Sequence, residues 1–299
     1  MTFSSTLAGG DGGNALLVLP DLAGTDARSR RLSVMFWISL GWIGLVVIVA
    51  IFANVLPLDS PTAIGNANPG LGPSWAHLLG TDELGRDLLA RVVYGARVSL
   101  IVGVAATALG VAIGGTLGLV AGYLGGIADV VIMGAMNVLL AFPSLILALA
   151  IVTFTQPTLL HVTLAIGILS IAPLCRVVRA STISLSRREF VQAAQVVGVR
   201  RRRIIFREIV PNVLPTALAV ALVAIPGAIL AEGALSFLGL SVRPPSPSWG
   251  NMLSEGRDVL AKYPLIALWP SIAMLLTVLS LNFVGDELRG HLDVKEGGL

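Results

Sequence analysis

The 299-residue chain is 55% hydrophobic and only 12% charged, with a mean hydropathy of +0.88; soluble domains carry roughly 25% charged residues, so a water-soluble globular domain is excluded. Its 33 glycines against 9 Phe, 5 Trp and 3 Tyr point to closely packed helices rather than a barrel with aromatic girdles, and the single Cys175 excludes an intrachain disulfide framework. A formal net charge of +3 is small, so the placement of the charges carries more information than their sum.

Residues 1–26 are rich in Gly, Ala and Ser, lack Lys and Arg, and contain Asp11, Asp21 and Asp26, which does not fit a secretory signal peptide. Residues 1–31 are expected to form a flexible cytoplasmic tail. Arg28, Arg30 and Arg31 then precede a long apolar run, the pattern of a signal anchor retained in the mature chain.

A helix needs roughly 20 mostly apolar residues to cross a bilayer. Charge-free stretches occupy residues 32–58, 98–128, 130–175, 209–231 and 263–285. The third is long enough for two helices, with Thr155-Gln156-Pro157 as a helix-breaking turn between them, so six spans are expected. Basic residues favour the cytoplasmic side of short loops, and nine of them lie between Arg176 and Arg207. On the opposite side, Arg86, Arg91, Arg97, Arg243, Arg257 and Lys262 are balanced by Asp59, Asp82, Glu83, Asp87, Glu255 and Asp258. Both termini are therefore expected inside.

In the second span Gly110, Gly114, Gly118 and Gly122 recur every fourth residue, forming a row that lets another backbone approach closely. The partner is either a helix of the same chain or a second subunit. Pro143 and Pro173 fall inside the third and fourth spans, where they either act as hinges or fix a static kink.

Between spans four and five, residues 184–212 form a basic amphipathic segment. Its composition predicts a short helix around Phe190, a break at Gly198, a second short helix through Arg200 to Arg203, and a fifth span led in by Pro211. Taken alone, such a loop could rest on acidic headgroups or present an apolar knob to a partner. The order Ala193-Ala194, three residues, Gly198, then Val210-Pro211 resembles the EAA loop of ABC importer permeases. The resemblance implies a coupling helix that docks into an ATPase subunit, with Ala193, Ala194 and Gly198 as the closest contacts, Phe190 and Val191 as apolar flanks, and Pro211 closing the motif. Gln192 stands where the family usually has glutamate.

The segment from Leu79 through Gly80, Thr81, Asp82, Glu83, Leu84, Gly85, Arg86 and Asp87 to Leu100 is similar to that before span two in the dipeptide/oligopeptide/nickel permeases. So are residues 231–251, with their PSWGN run, and the closing Asn282, Gly285, Asp286, Leu288, Arg289 and Asp293. The likeness covers about residues 33–293. By their own chemistry, Asp82, Arg86 and Asp87 form a charged outer turn that either seats a binding protein or caps the bundle. Trp249, after a proline-rich run, suits an interfacial anchor. Glu232 lies toward the outer end of span five, where a costly ionisable group faces a pathway or makes a packing hydrogen bond.

No phosphate-binding G-x-x-x-x-G-K-[ST] loop is present. His77, His161 and His291 do not pair with Cys175 as metal ligands, and the arginine run lacks the interleaved aromatics of a nucleic-acid site. The expectation is an all-α, six-span protein with the type I ABC importer permease fold, both termini inside, a permease domain over 32–293 and a tail over 294–299. It would bind no cofactor or metal and catalyse no reaction itself, with ATP and Mg2+ on partner subunits. The resemblance implies a related second permease, two ATPases and an extracytoplasmic binding protein, in the cytoplasmic membrane of a prokaryote. Peptides are the expected cargo on family frequency; a nickel chelate, glutathione, or ion-coupled secondary transport are the alternatives.

Overall fold

The computed structural model describes residues 33–65 and 67–296, with side chains through Gly290; the expected tail over 1–31 lies outside the described residues. The described elements are helical: α1 (Val34–Ile51), α2 (Leu88–Leu124), α3 (Gly126–Ala141), α4 (Ser144–Phe154), α5 (Leu159–Ser186), α6 (Glu189–Val196), α7 (Arg201–Ile204), α8 (Val210–Phe237), α9 (Trp249–Asp258) and α10 (Leu265–Glu296), with a π-helical turn, Ile205–Ile209, leading into α8. Five helical segments are long and apolar enough to cross a membrane. A sixth span is counted if α3 and α4 are taken together, but they meet at 87°.

The bend falls at Pro143, where a kink in the third span was expected, and is sharper than a kink within one continuous helix. Pro143 pushes Phe142 into extended backbone, at φ −88° and ψ 137°, because its ring clashes with a helical residue before it. The turn at Thr155-Gln156-Pro157 also forms, and Thr158 caps α5 by accepting from the His161 amide. Pro173 lies inside α5 without ending it. The second span starts ten residues before its charge-free core, so Arg91 and Arg97 belong to α2. Arg97 donates to the carbonyls of Ala50 at 2.8 Å and Ile51 at 2.9 Å, closing the C-terminal end of α1 where orphan carbonyls favour a cation. At the other end of the chain α10 continues past 293 to Glu296.

The glycine row is an intrachain seam. A Cβ at Gly114 or Gly118 would strike the backbone of Ile171 or Cys175, and one at Gly122 would come within 2.8 Å of the Arg179 carbonyl. Matching periods on the two helices let α2 and α5 pack along their length with backbones almost touching. Around this seam, Val102 and Ala106 of α2, Val152 of α4, Val162 and Ile166 of α5, and Leu235 of α8 form one buried cluster. Val46 of α1, Trp249 of α9 and Met274 and Leu281 of α10 help build a second.

Candidate functional site

At the end of the bundle where α2 and α5 stop, α6 and α7 form a short crosspiece. Val191 is fully buried against Val178, Ile204, Ile209 and Val213, with Ala194 packed at the edge. This apolar pin fixes α6 to the base of α8. On its other side, Phe190 is 44% exposed, Val196 88% and Val197 81%, and Ala193, Gln192 and Gly198 are also exposed. Gln192 donates to the Arg187 carbonyl at 3.1 Å, so it closes the start of α6 rather than reaching across to another element. Gly198 has φ +81° and open space over its Cα; backbone conformation, not crowding, calls for glycine there.

The expected coupling residues therefore divide. Phe190, Ala193 and Gly198 lie on the open face, joined by Val196 and Val197, which sequence reasoning did not single out although their apolar pairing beside Gly198 was visible. Val191, expected as a flank, is an internal anchor. Pro211 is exposed at the start of α8, just after the π turn, where its missing N–H leaves the Arg207 carbonyl without the usual helical donor. From Arg201 to Phe237 the chain runs as one 37-residue helical rod.

The far end of that rod holds Glu232, which is fully buried. One carboxylate oxygen accepts from Ser236 at 2.8 Å, Ser241 at 2.9 Å and Ser248 at 2.9 Å, and the other accepts from Ser99 at 3.2 Å. Four hydroxyls from α2, α8, the following loop and the cap of α9 thus converge on one carboxylate, which offers about four acceptor positions. Ser248 also caps α9 by accepting from the Asn251 amide at 3.1 Å, while the Asn251 side chain accepts from the Ser248 amide at 2.9 Å. Trp249 is 1% exposed and donates its indole N–H to the Val92 carbonyl at 3.0 Å. It is a core plug between α9 and α2, not the interfacial anchor expected from its sequence setting.

Asp82, Arg86 and Asp87 are buried as well. Asp82 accepts from the Leu84 and Arg86 amides, both at 2.9 Å, and pairs with the Arg86 guanidinium. Glu255 on α9 accepts from Arg86 at 3.2 Å and from Arg91 at 2.7 Å. Asp87 caps α2 through the Ala90 amide at 2.7 Å and contacts His77 at 2.8 Å. The charged turn is thus an internal brace for α2 and α9, with Glu83 and Leu84 on its exposed side. Sequence reasoning counted Glu255 only as an outer negative charge; its partners lie 164 and 169 residues away.

Residues 114–296 match the family described as "Binding-protein-dependent transport system inner membrane component". The chain belongs to that family. Like other inner membrane components of binding-protein-dependent transport systems, it is a multi-pass membrane transport subunit, not a catalytic enzyme, and it is an ABC importer permease. It is 42% identical over 261 residues to the dipeptide transport system permease protein of Alkalihalophilus pseudofirmus, covering 86% of each chain. It is 39% identical to the glutathione transport system permease protein of Pectobacterium atrosepticum, covering 84% of each. Against the oligopeptide transport system permease protein of Haemophilus influenzae the identity is 41%, covering 74% of this chain and 71% of the relative. Inward-facing structures of the MetNI methionine ABC transporter share the fold: TM-score 0.57 and 15% identity, over 69% of this chain and 97% of that one.

Proposed function

We propose that this permease imports di- or oligopeptides across the cytoplasmic membrane of a prokaryote, paired with a related second permease and served by two ATPase subunits and an extracytoplasmic binding protein. ATP and Mg2+ act on the ATPases, and this chain supplies a moving wall of the pathway. The observation that carries the reading is the open apolar face of α6, Phe190, Ala193, Val196 and Val197, on a helix pinned by buried Val191 to the base of α8. An exposed apolar face on so short a helix fits a groove on a partner.

In this mechanism ATP-driven closure of the ATPases displaces α6. The Val191 pin passes that displacement to the rod from Arg201 to Phe237, whose other end carries Glu232 and its serines against α2 and α9. The two ends then shift together, and alternating access requires only that nucleotide favour one arrangement by several kcal/mol. Peptide cargo is favoured by the names of the dipeptide and oligopeptide relatives; the glutathione relative, itself named for a peptide-like cargo, supports the second reading within the same class.

In this reading both termini and the α6–α7 crosspiece lie in the cytoplasm. In a Cys175→Ser background, a cysteine at position 200 should resist an impermeant thiol reagent applied outside and react when applied inside. For function, Ala193→Arg should release the co-purifying ATPases or uncouple ATP hydrolysis from peptide uptake into vesicles. Normal ATPase retention and uptake in that variant would rule out α6 as the joint.

A further inference from the structure

Beside the crosspiece, and separate from the open face of α6, the bundle carries two adjoining hollows. The first is a recess of about 440 Å³ lined by Tyr123, Leu124, Ser186, Gln195, Val199, Arg201 and Ile204. It lies where α2 and α5 end, and Tyr123, Ser186, Gln195 and Arg201 are the polar residues of its lining. The second is an apolar groove of about 460 Å³ between α2 and α8, bounded by Val111, Gly115, Leu119, Phe206 and Leu214 among others. Tyr123 and Leu124 line both hollows, so a polar recess and an apolar groove lie side by side.

We infer that this pair of hollows binds a phospholipid with an anionic headgroup, its phosphate on Arg201 in the recess and an acyl chain along the groove. Three observations converge on that occupant. From Leu124 back to Val111 the groove follows about 20 Å of helix, close to the roughly 15 Å depth of one leaflet in a 30 Å hydrocarbon core. Phe206, 69% exposed, and Leu214, 47% exposed, offer apolar cover along the groove. Arg200, Arg201, Arg202 and Arg203 are exposed, and no carboxylate among the described residues pairs with them, so the charge facing the recess is uncompensated. A guanidinium fork binds phosphate oxygens in a bidentate manner, and basic pockets between spans on the cytoplasmic side suit acidic headgroups. The groove separates a lipid from free phosphate, which would gain nothing from the apolar half. The site also adjoins Ile204 and Val199, which pack in or against the cluster that pins α6, so its occupancy bears on how firmly the crosspiece is held. The inference rests on the proposed cytoplasmic placement of the crosspiece and on the groove facing lipid, not on α6 being the coupling element.

The test uses the assembled transporter in nanodiscs of phosphatidylcholine containing a minor fraction of spin-labelled phosphatidylglycerol, with spin-labelled phosphatidylcholine as the reference. A motionally restricted phosphatidylglycerol population is expected in the native complex. Arg201→Gln should weaken its association about tenfold, the loss of one charge-assisted hydrogen bond. Gly115→Phe should displace it too, because Gly115 lines the groove and a side chain there starts into open space, so the ring occupies the groove. Arg203→Gln, outside the recess, should have little effect. Equal losses from Arg201→Gln and Arg203→Gln would reduce the effect to general surface charge and overturn the site. So would a native complex without preference for phosphatidylglycerol, as when a partner subunit covers the groove, or full displacement by soluble inorganic phosphate.

Discussion

Glu255 on α9 accepts a hydrogen bond at 2.7 Å from Arg91 on α2, a guanidinium only 1% exposed. With Asp82 at 3.4 Å as its other carboxylate neighbour, Arg91 has little else to balance its charge inside the protein. The pair joins the first turn of α2 to the last turn of α9, and so holds that end of the bundle together.

Breaking a buried pair costs up to about 3–5 kcal/mol, and here less, because Asp82 stays within reach of Arg91 at 3.4 Å. Glu255→Ala should therefore lower the thermal unfolding temperature of the purified permease clearly. Arg91→Leu combined with Glu255→Ala should be milder than the two single losses added together. Strict additivity in that double-mutant cycle would show that the contact carries no coupling.

Glu232→Ala would strand the hydroxyls of Ser99, Ser236, Ser241 and Ser248, at about 1–3 kcal/mol for each one left without a partner. A marked loss of stability and of assembled complex is expected, whereas Ser241→Ala should cost only about 1 kcal/mol. Chemical denaturation in detergent, run beside a transport assay, separates the roles. An undiminished fold with abolished transport would assign Glu232 to the pathway instead of the knot.

Neighbouring glycines on α2 should behave oppositely. Gly114→Leu drives a side chain into the backbone of Ile171 and should cost at least the roughly 1–3 kcal/mol of ordinary overpacking. Gly115→Ala, with nothing within 4 Å of the new methyl, should be neutral or stabilising by up to about 1 kcal/mol. Comparing the two unfolding midpoints tests whether the seam belongs to α5.

At Gly198, φ +81° admits Asn far better than Val. Gly198→Asn should keep ATPase co-purification and uptake close to normal. Gly198→Val should distort the turn between α6 and α7 and impair coupling while membrane insertion persists. Equal behaviour of the two variants would show that the left-handed conformation has no part in coupling.

The sequence by itself determined the membrane character, the helical class, the break at 155–157 and the helix, glycine turn, helix order of the crosspiece. Each rests on local physics: uninterrupted apolar runs, prolines without a donor, and a glycine between amphipathic segments. It also marked the glycine row, because a four-residue period on a helix defines a face regardless of what covers it. Only the tertiary structure decided that α5 covers that row. It also decided that Val191 points inward while Val196 and Val197 point out, that Trp249 fills the core, and that the charged turn before α2 is braced by Glu255. A single helix turn separates an anchor from an exposed contact, and ion pairs joining residues more than 160 positions apart leave no periodic trace in the chain. Such partners are selected by the packing of whole helices, which no local pattern encodes.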